Sequence, residues 1–284
     1  MKCFIAVLLS CSVFYFINIP KAQALKNPVL LIHGATMGGA VLRVGPLFFG
    51  KYFQRIPEHL ESIGAKTEVV ALSTDSSIGE RAFVIKNFLE TKLKNQKVNI
   101  IAHSLGGLDA RYLVSILKST QVASITTIGT PHQGTPLADW AVRQMREGGF
   151  WYHFFRFLGY DFKGRRFLPE LTTHSMGTIF NPRVKNMPGI RYFSAVATGD
   201  PWKGTMSALL LFPYFILQNE ANGRALEAND GLVTASSQTW GEVLARVTLD
   251  HLAQMNHYTF RWSREAESFA LYTQIVKHLE KEGL

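Results

Sequence analysis

Apolar runs of strand length alternate along the chain with longer stretches of helical spacing. The strand-like runs are "NPVLLIHG", "KTEVVALS", "KVNIIAHS", "VASITTIGTPH", "IRYFSAVATG" and "ARVTLDH". Helix-like spacing is found at residues 49–63, 80–94, 107–118 and 263–282. Strands that alternate with helices imply right-handed crossovers. We therefore expect an α/β fold with a mostly parallel central sheet and helices on both faces.

Residues suited to chemistry come directly after several of the strand-like runs. They are His33, Ser104, the tripeptide Thr130-Pro131-His132, and His251. The carboxyl ends of parallel strands share one edge of a sheet, and ligands bind there. The chain has 284 residues and contains no linker, repeat or charge block. We therefore expect one domain with these residues gathered at one edge.

The stretch "VNIIAHSLGGLDARYL" places Ser104 on a strand-to-helix turn. A tight turn between small residues exposes a serine as a nucleophile. Ala102, Gly106 and Gly107 are the small neighbours, although alanine replaces the first glycine of the usual Gly-x-Ser-x-Gly pattern. A connective or phosphate-binding turn is the alternative, so the assignment depends on finding partners.

A serine nucleophile needs a base and an acid, which follow it in the order serine, acid, histidine in this fold. Asp230 lies in the turn tripeptide Asn-Asp-Gly and is favoured as the acid over Asp200, which also follows a strand. His251 directly follows a β-like run and is favoured as the base over His257. Other acids in loops are Asp139, Asp161 and Asp250.

Two backbone amides are candidates for binding the oxyanion that forms during attack on a carbonyl. Ala35 follows the His33-Gly34 loop, and Leu105 follows the nucleophile. His33 is interpreted as a brace for its loop, and His103 is interpreted as structural.

Five segments in order, "VLLIHGATMGG", "NIIAHSLGGLDARYL", "IGTPHQGTPLAD", "NDGLV" and "DHLAQMN", resemble the signature blocks of secreted triacylglycerol lipases. These are the lipases of the Pseudomonas and Burkholderia type and their fungal relatives, which are α/β-hydrolases. The resemblance implies Ser104 as nucleophile, Asp230 as acid and His251 as base. It also implies Ala35 and Leu105 as oxyanion donors, and a preference for medium and long acyl chains.

Two departures from the bacterial members concern calcium and a disulfide. Ala253 stands where many members carry an aspartate that binds calcium, and Ala235 stands where a cysteine is common. A hard cation needs several oxygen ligands. We therefore expect no cofactor, and calcium dependence is in doubt.

The first 24 residues have the pattern of a secretory leader. A lysine precedes an apolar stretch, and Ala22-Gln23-Ala24 has the form of a cleavage site. We expect cleavage after Ala24, with an uncleaved membrane anchor as the alternative, and a hydrolase domain over 25–284. Both cysteines lie in the leader, and loss of Lys2 and Lys21 would lower the formal charge from +9 to +7.

The segment "REGGFWYHFFRFLGYDFKGRRF" mixes aromatic and basic side chains, as suits an oil-water boundary. The resemblance implies a lid or cap around 140–180 here, and a permanently packed cap is the alternative. The basic residues elsewhere are scattered, so we expect no nucleic-acid partner. The sequence leaves open the oligomeric state and any folding chaperone or secretion machinery.

The sequence as a whole predicts a secreted serine hydrolase that cleaves lipid esters through an acyl-enzyme. A carboxylesterase or a phospholipase with the same triad is the first alternative. A catalytically silent lipid-binding protein on a hydrolase scaffold is the second.

Overall fold

The computed structural model describes residues 25–35, 41–44, 47–73, 75–144, 166–220, 227–258 and 264–284. Its centre is a sheet of six parallel strands in the order β4-β1-β5-β6-β7-β8. A separate antiparallel pair joins β2 to β3. The strands are β1 (Val29–Ile32), β2 (Val41–Val44), β3 (Leu47–Lys51), β4 (Thr67–Val70), β5 (Val98–His103), β6 (Val122–Ile128), β7 (Arg191–Ala197) and β8 (Glu242–Val247). The predicted α/β fold with a mostly parallel sheet is confirmed.

Six helices of seven or more residues accompany the strands among the described residues. They are α1 (Ile56–Ser62), α2 (Ile78–Lys92), α3 (Leu105–Ser115), α4 (Pro136–Gln144), α5 (Ala208–Glu220) and α6 (Glu265–Lys281). Shorter helical turns are Phe167–Glu170, Thr173–Ser175, the π-helix Met176–Phe180, Asn181–Arg183 and the 3₁₀ turn Ala253–Met255.

The two faces of the sheet bury two separate apolar clusters. Because successive side chains of a strand point to opposite faces, Val29 and Leu31 of β1 join one cluster and Leu30 and Ile32 join the other. Helices α1 and α6 pack on the first face, and α2 and α3 pack on the second. All four of these β1 side chains are fully buried, so the sheet is covered on both sides.

The predicted helix over 49–63 is wrong in its first half. Strand β3 ends at Lys51, and α1 begins only at Ile56, after Arg55 with a φ of 59°. Pro57 lies in the first turn of α1, where the missing N–H costs no helical hydrogen bond. Strand β2 is not predicted by the sequence pattern, and β8 begins three residues before the predicted run.

Helix α5 is formed by the apolar stretch "ALLLFPYFILQNE", which the sequence did not assign to an element. Among the described residues, no helix combines the length and apolar character needed to cross a membrane. The leader over 1–24 lies outside the described residues. Of the lid predicted over 140–180, only 140–144 and 166–180 are described.

Candidate active site

Ser104 occupies the sharp turn between β5 and α3. Its backbone has a φ of 56° and a ψ of −131°, which is rare for a residue with a side chain. The turn is held by hydrogen bonds from Ser104 N to Ile128 O (2.9 Å) and from Thr130 Oγ1 to Ser104 O (2.8 Å). Strained backbone held by its surroundings is typical of an exposed nucleophile.

Close packing explains the small residues beside Ser104. A Cβ at Gly106 would lie 2.7 Å from Ile32 O, and a Cβ at Gly107 would lie 2.2 Å from Thr130 Oγ1. Both distances are shorter than real contacts, so α3 approaches its neighbours this closely only with glycine. Ala102, which stands where the usual pattern has its first glycine, pairs in register with Ile32 on β1, so alanine fits at that position.

Asp230 and His251 meet at the same edge of the sheet. His251 Nδ1 lies 2.7 Å from Asp230 Oδ2, and His251 N donates to Asp230 O at 2.8 Å. The carboxylate accepts, so His251 carries its proton on Nδ1 and leaves Nε2 unprotonated. Both side chains are buried. The pair therefore has the orientation that a general base requires.

The turn that carries Asp230 fixes its carboxylate from the other side. Asp230 Oδ1 accepts from Leu232 N at 3.0 Å and from Val233 N at 2.8 Å. Asn229 closes the turn through Gly231 N, whose φ of 99° suits glycine.

Three polar residues that the sequence analysis did not select extend this arrangement. Gln254 Nε2 donates to Asp230 Oδ2 at 2.8 Å, and Gln254 Oε1 lies 3.0 Å from His103 Nε2. Tyr52 OH lies 2.6 Å from His103 Nδ1. The His103 and His251 rings are 4.5 Å apart between centroids. Since His103 precedes Ser104, this contact places the predicted base, His251, beside the turn that carries Ser104.

The competing acid and base of the sequence analysis lie in other settings. Asp200 is partly exposed, and its Oδ1 accepts from the amides of Trp202 and Lys203 in its own turn. His257 is buried, and its Nε2 lies 2.9 Å from both Lys51 O and Tyr52 O. Both residues have contacts typical of structural positions.

The loop after β1 brings Ala35 beside Ser104. A Cβ at Gly34 would lie 2.6 Å from Ser104 Cβ, so only glycine permits this approach. Ala35 packs against the cluster that contains Leu105, which is the first residue of α3. The N–H of a first helical residue has no acceptor within its helix. The two predicted oxyanion donors therefore flank the nucleophile turn.

Buried side chains orient the peptide group between Gly34 and Ala35. His33 Nε2 accepts from Leu72 N at 2.9 Å, so the ring proton lies on Nδ1 and is donated to Gly34 O at 2.9 Å. Arg81 Nη2 donates to Gly34 O at 3.4 Å and to His33 O at 2.7 Å, while Arg81 Nε donates to Asp109 Oδ2 at 2.8 Å. A planar trans peptide directs N–H opposite to C=O. These contacts therefore fix the direction of the Ala35 N–H.

Burial favours the neutral forms of His33 and His103. It lowers the pKa of His33 to about 4, with the nearby Arg81 charge acting in the same sense. Burial also holds the pKa of His103 well below its usual value, and His251 adds to that effect. Neutral rings can both donate and accept, as the network requires.

An apolar cavity of about 380 Å³ opens at Ser104 and Ala35. Its walls come from α4, the helical turn Phe167–Glu170 and α5. The wall side chains of α5 include Leu209, Phe212 and Ile216. An apolar cavity that ends at a nucleophile suits a substrate with a long hydrocarbon part.

The described residues contain no group of three or more His, Cys, Asp or Glu side chains placed to hold a metal ion. Asp250 directs its carboxylate to the amides of Ser207, Leu252 and Ala253. Ala253 itself lies buried in the 3₁₀ turn after His251.

The fold is that of the α/β-hydrolases. The family model of the PGAP1-like alpha/beta domain matches residues 81–149, which include the nucleophile turn. The structure is similar to that of Staphylococcus hyicus lipase, with a TM-score of 0.64, 20% identity and coverage of 93% of this chain and 98% of that one. A metagenomic carboxyl esterase gives a TM-score of 0.69 at 19% identity, covering 92% and 77% of the two chains.

Sequence comparison finds similarity to triacylglycerol lipases. Triacylglycerol lipase 2 of Saccharomyces cerevisiae is 32% identical over 221 residues, which cover 72% of this chain and 62% of that protein. The chain thus matches less than two thirds of the length of the yeast relative. Triacylglycerol lipase of Pseudomonas fragi is 25% identical over 300 residues, which cover 91% and 98% of the two chains. The predicted resemblance to lipases of the α/β-hydrolase type is confirmed.

Proposed function

We propose that the protein is a serine hydrolase that cleaves the carboxylic esters of lipids, triacylglycerols above all. The observation that carries the proposal is the buried Asp230–His251 pair next to the strained turn of Ser104. The apolar cavity beginning at Ser104 supports a substrate with an acyl chain. The named lipase relatives support the same substrate class.

In the proposed reaction, Ser104 Oγ attacks the ester carbonyl and His251 Nε2 accepts the serine proton. The negative charge that forms on the carbonyl oxygen is bound by the amides of Ala35 and Leu105. His251 then gives the proton to the departing alcohol, which leaves an acyl group on Ser104. Water, deprotonated by His251, releases the fatty acid in the second half of the cycle, while Asp230 holds the imidazole in its Nδ1–H form.

The decisive test is Ser104→Ala, assayed on an emulsified long-chain triglyceride and a soluble short-chain ester. Removal of a triad member lowers the rate by about 10⁴ to 10⁶. We expect that loss on both substrates, with an unchanged melting temperature. Retention of more than a few per cent of wild-type activity would show that the nucleophile is wrongly assigned.

The same pair of substrates distinguishes a lipase from a simple esterase. We expect the wild-type protein to hydrolyse the emulsified triglyceride and thus to act at a lipid-water interface. Activity on the short-chain ester alone would indicate a carboxylesterase.

Export remains a prediction from the first 24 residues. If they act as a leader, the amino-terminal sequence of protein recovered outside the cytoplasm should begin at Leu25. Recovery of exported protein that still begins at Met1 would favour an uncleaved anchor instead.

A further inference from the structure

Four buried side chains form one continuous chain of hydrogen bonds that ends on the acid of the proposed triad. It runs from Tyr52 through His103 and Gln254 to Asp230, with distances of 2.6, 3.0 and 2.8 Å. His103, Gln254 and Asp230 are completely buried, and Tyr52 is 2% exposed. Since bulk water does not reach these groups, each group depends on its protein partners.

The ionised carboxylate fixes the direction of every bond in this chain. Asp230 can only accept, so Gln254 must turn its NH₂ group to Asp230 and its carbonyl oxygen to His103. The opposite amide orientation would place two oxygens against each other. His103 therefore carries its proton on Nε2, and its Nδ1 accepts from the Tyr52 hydroxyl. One arrangement satisfies all four groups.

The backbone around Gln254 is held as firmly as its side chain. Tyr272 of α6 donates its hydroxyl to Gln254 O at 3.1 Å, and Gln254 N donates to Asp250 O at 3.1 Å. Gly129, with a φ of 59°, leaves the space that the amide occupies, because a Cβ there would lie 2.2 Å from Gln254 Oε1. The amide therefore has little freedom to leave the carboxylate.

Asp230 Oδ2 accepts hydrogen bonds from both His251 Nδ1 and Gln254 Nε2, so the amide and the proposed base share one acceptor oxygen. Without the amide, Oδ2 would have one donor fewer, and the carboxylate could turn away from the base. We propose that Gln254 is a positioning residue of the triad, which holds the Asp230 carboxylate in the orientation that His251 needs. This inference rests on the proposed function.

The test compares Gln254→Leu with the wild type on a soluble short-chain ester. A hydrogen bond to a charged group is worth enough to change a rate about tenfold when it is lost. We expect kcat to fall about tenfold while KM stays within twofold, because Gln254 is not among the residues that line the cavity. Gln121→Leu is the matched control. Gln121 also donates through its side-chain amide, in this case to the backbone oxygens of Leu89 and Leu93, but it lies just before β6, away from the site. Gln121→Leu should leave kcat unchanged.

Gln254→Glu keeps nearly the same side-chain volume. It adds a second measurement, the pH dependence of kcat/KM, which a purely structural role of Gln254 would not change. The carboxyl group introduced by this substitution can donate to Asp230 when it is protonated, whereas its ionised form cannot donate and repels Asp230. The ratio of kcat/KM of Gln254→Glu to that of Gln254→Leu should therefore exceed one at acidic pH and fall as the pH rises. Of the titratable groups around Gln254 and Asp230, His103 and His251 contact their side chains directly. Tyr272 and Asp250 contact the Gln254 backbone, and Tyr52 and His257 act on His103.

A ratio that is flat across the pH range would overturn the positioning role, as would a kcat within twofold of the wild type in Gln254→Leu. If Gln254→Leu does not fold, the fall with pH is measured for Gln254→Glu against the wild type. A wild-type protein without esterase activity would contradict the proposed function itself, which separates the two failures.

Discussion

The side chains around Ser104 fall into a polar group and an apolar group, and the two groups are held in different ways. The polar group contains Asp230, His251, Gln254 and His103, which are joined by directional hydrogen bonds. The apolar group, on α4, α5 and the turn Phe167–Glu170, lines the cavity through shape alone. A hydrogen-bond network is disrupted when one donor or acceptor is removed, whereas an apolar wall tolerates replacement of a side chain by another of similar volume. We therefore expect the polar group to set the rate and the apolar group to set the substrate range.

The largest effects should come from the polar group. His251→Ala and Asp230→Asn should each lower kcat by about 10⁴, because the first removes the base and the second favours the wrong tautomer. His257→Ala and Asp200→Asn should change kcat less than tenfold, since their contacts are to the backbone or to their own turn. Steady-state kinetics on a soluble ester measure all four.

His257→Ala is the control for His251→Ala, and Asp200→Asn is the control for Asp230→Asn. Loss of stability in His257→Ala is expected, since that side chain contacts two backbone carbonyls, and it is monitored by the melting temperature. If Asp200→Asn proved more severe than Asp230→Asn, the acid would be wrongly assigned.

Buried histidines around the site should make stability depend on pH. The pKa of His33 is lowered to about 4, and burial also lowers the pKa values of His103, His132 and His257. Between about pH 6.5 and 4 the unfolded chain binds protons that the native state does not, so the free energy of unfolding falls as the pH falls. His33 alone accounts for about 3 kcal/mol over that window.

Two acids act in the opposite sense, since burial raises the pKa of the partly buried Glu170 as well as that of Asp109. Burial raises the pKa of Asp109 to about 6, although Arg81 lies beside it, so its own contribution grows as the pH falls from that value. We expect the contribution of the four histidines to exceed that of the two acids. Urea unfolding at neutral and mildly acidic pH measures the sum, and a free energy of unfolding that stays constant or rises on acidification would contradict it.

The sequence predicted the parts of the molecule whose signals are local. Buried strands such as β5 and β6 are continuous apolar runs, and the turn at Ser104 is marked by its small neighbours. Asp230 and His251 were selected because they follow Ser104 in the order acid, histidine and lie in a turn or directly after a strand-like run. The structure places the two side chains in contact.

Gln254, Tyr52 and Arg81 could not be selected in the same way. Each is an ordinary polar residue in its local sequence, and only tertiary folding brings it under the site. Residues 49–63 were mistaken for one helix for a related reason. Aromatic and polar residues there fit helical spacing, but the chain leaves β3 only at Lys51 and starts α1 at Ile56.

The smallest effect should come from the apolar group. Ile216→Trp enlarges a buried wall residue and shortens the space that an acyl chain can fill. Each buried methylene contributes about 0.8 kcal/mol, so excluding two methylenes should lower kcat/KM for a long-chain ester about tenfold. A short-chain ester does not reach that depth and should lose little. The neighbouring Phe215, which is 45% exposed and does not line the cavity, provides the control Phe215→Trp. If Ile216→Trp lowered kcat/KM equally for both esters, the cavity wall would affect the reaction rate and not the preference for acyl-chain length. The division of roles between the polar and apolar groups would then be wrong.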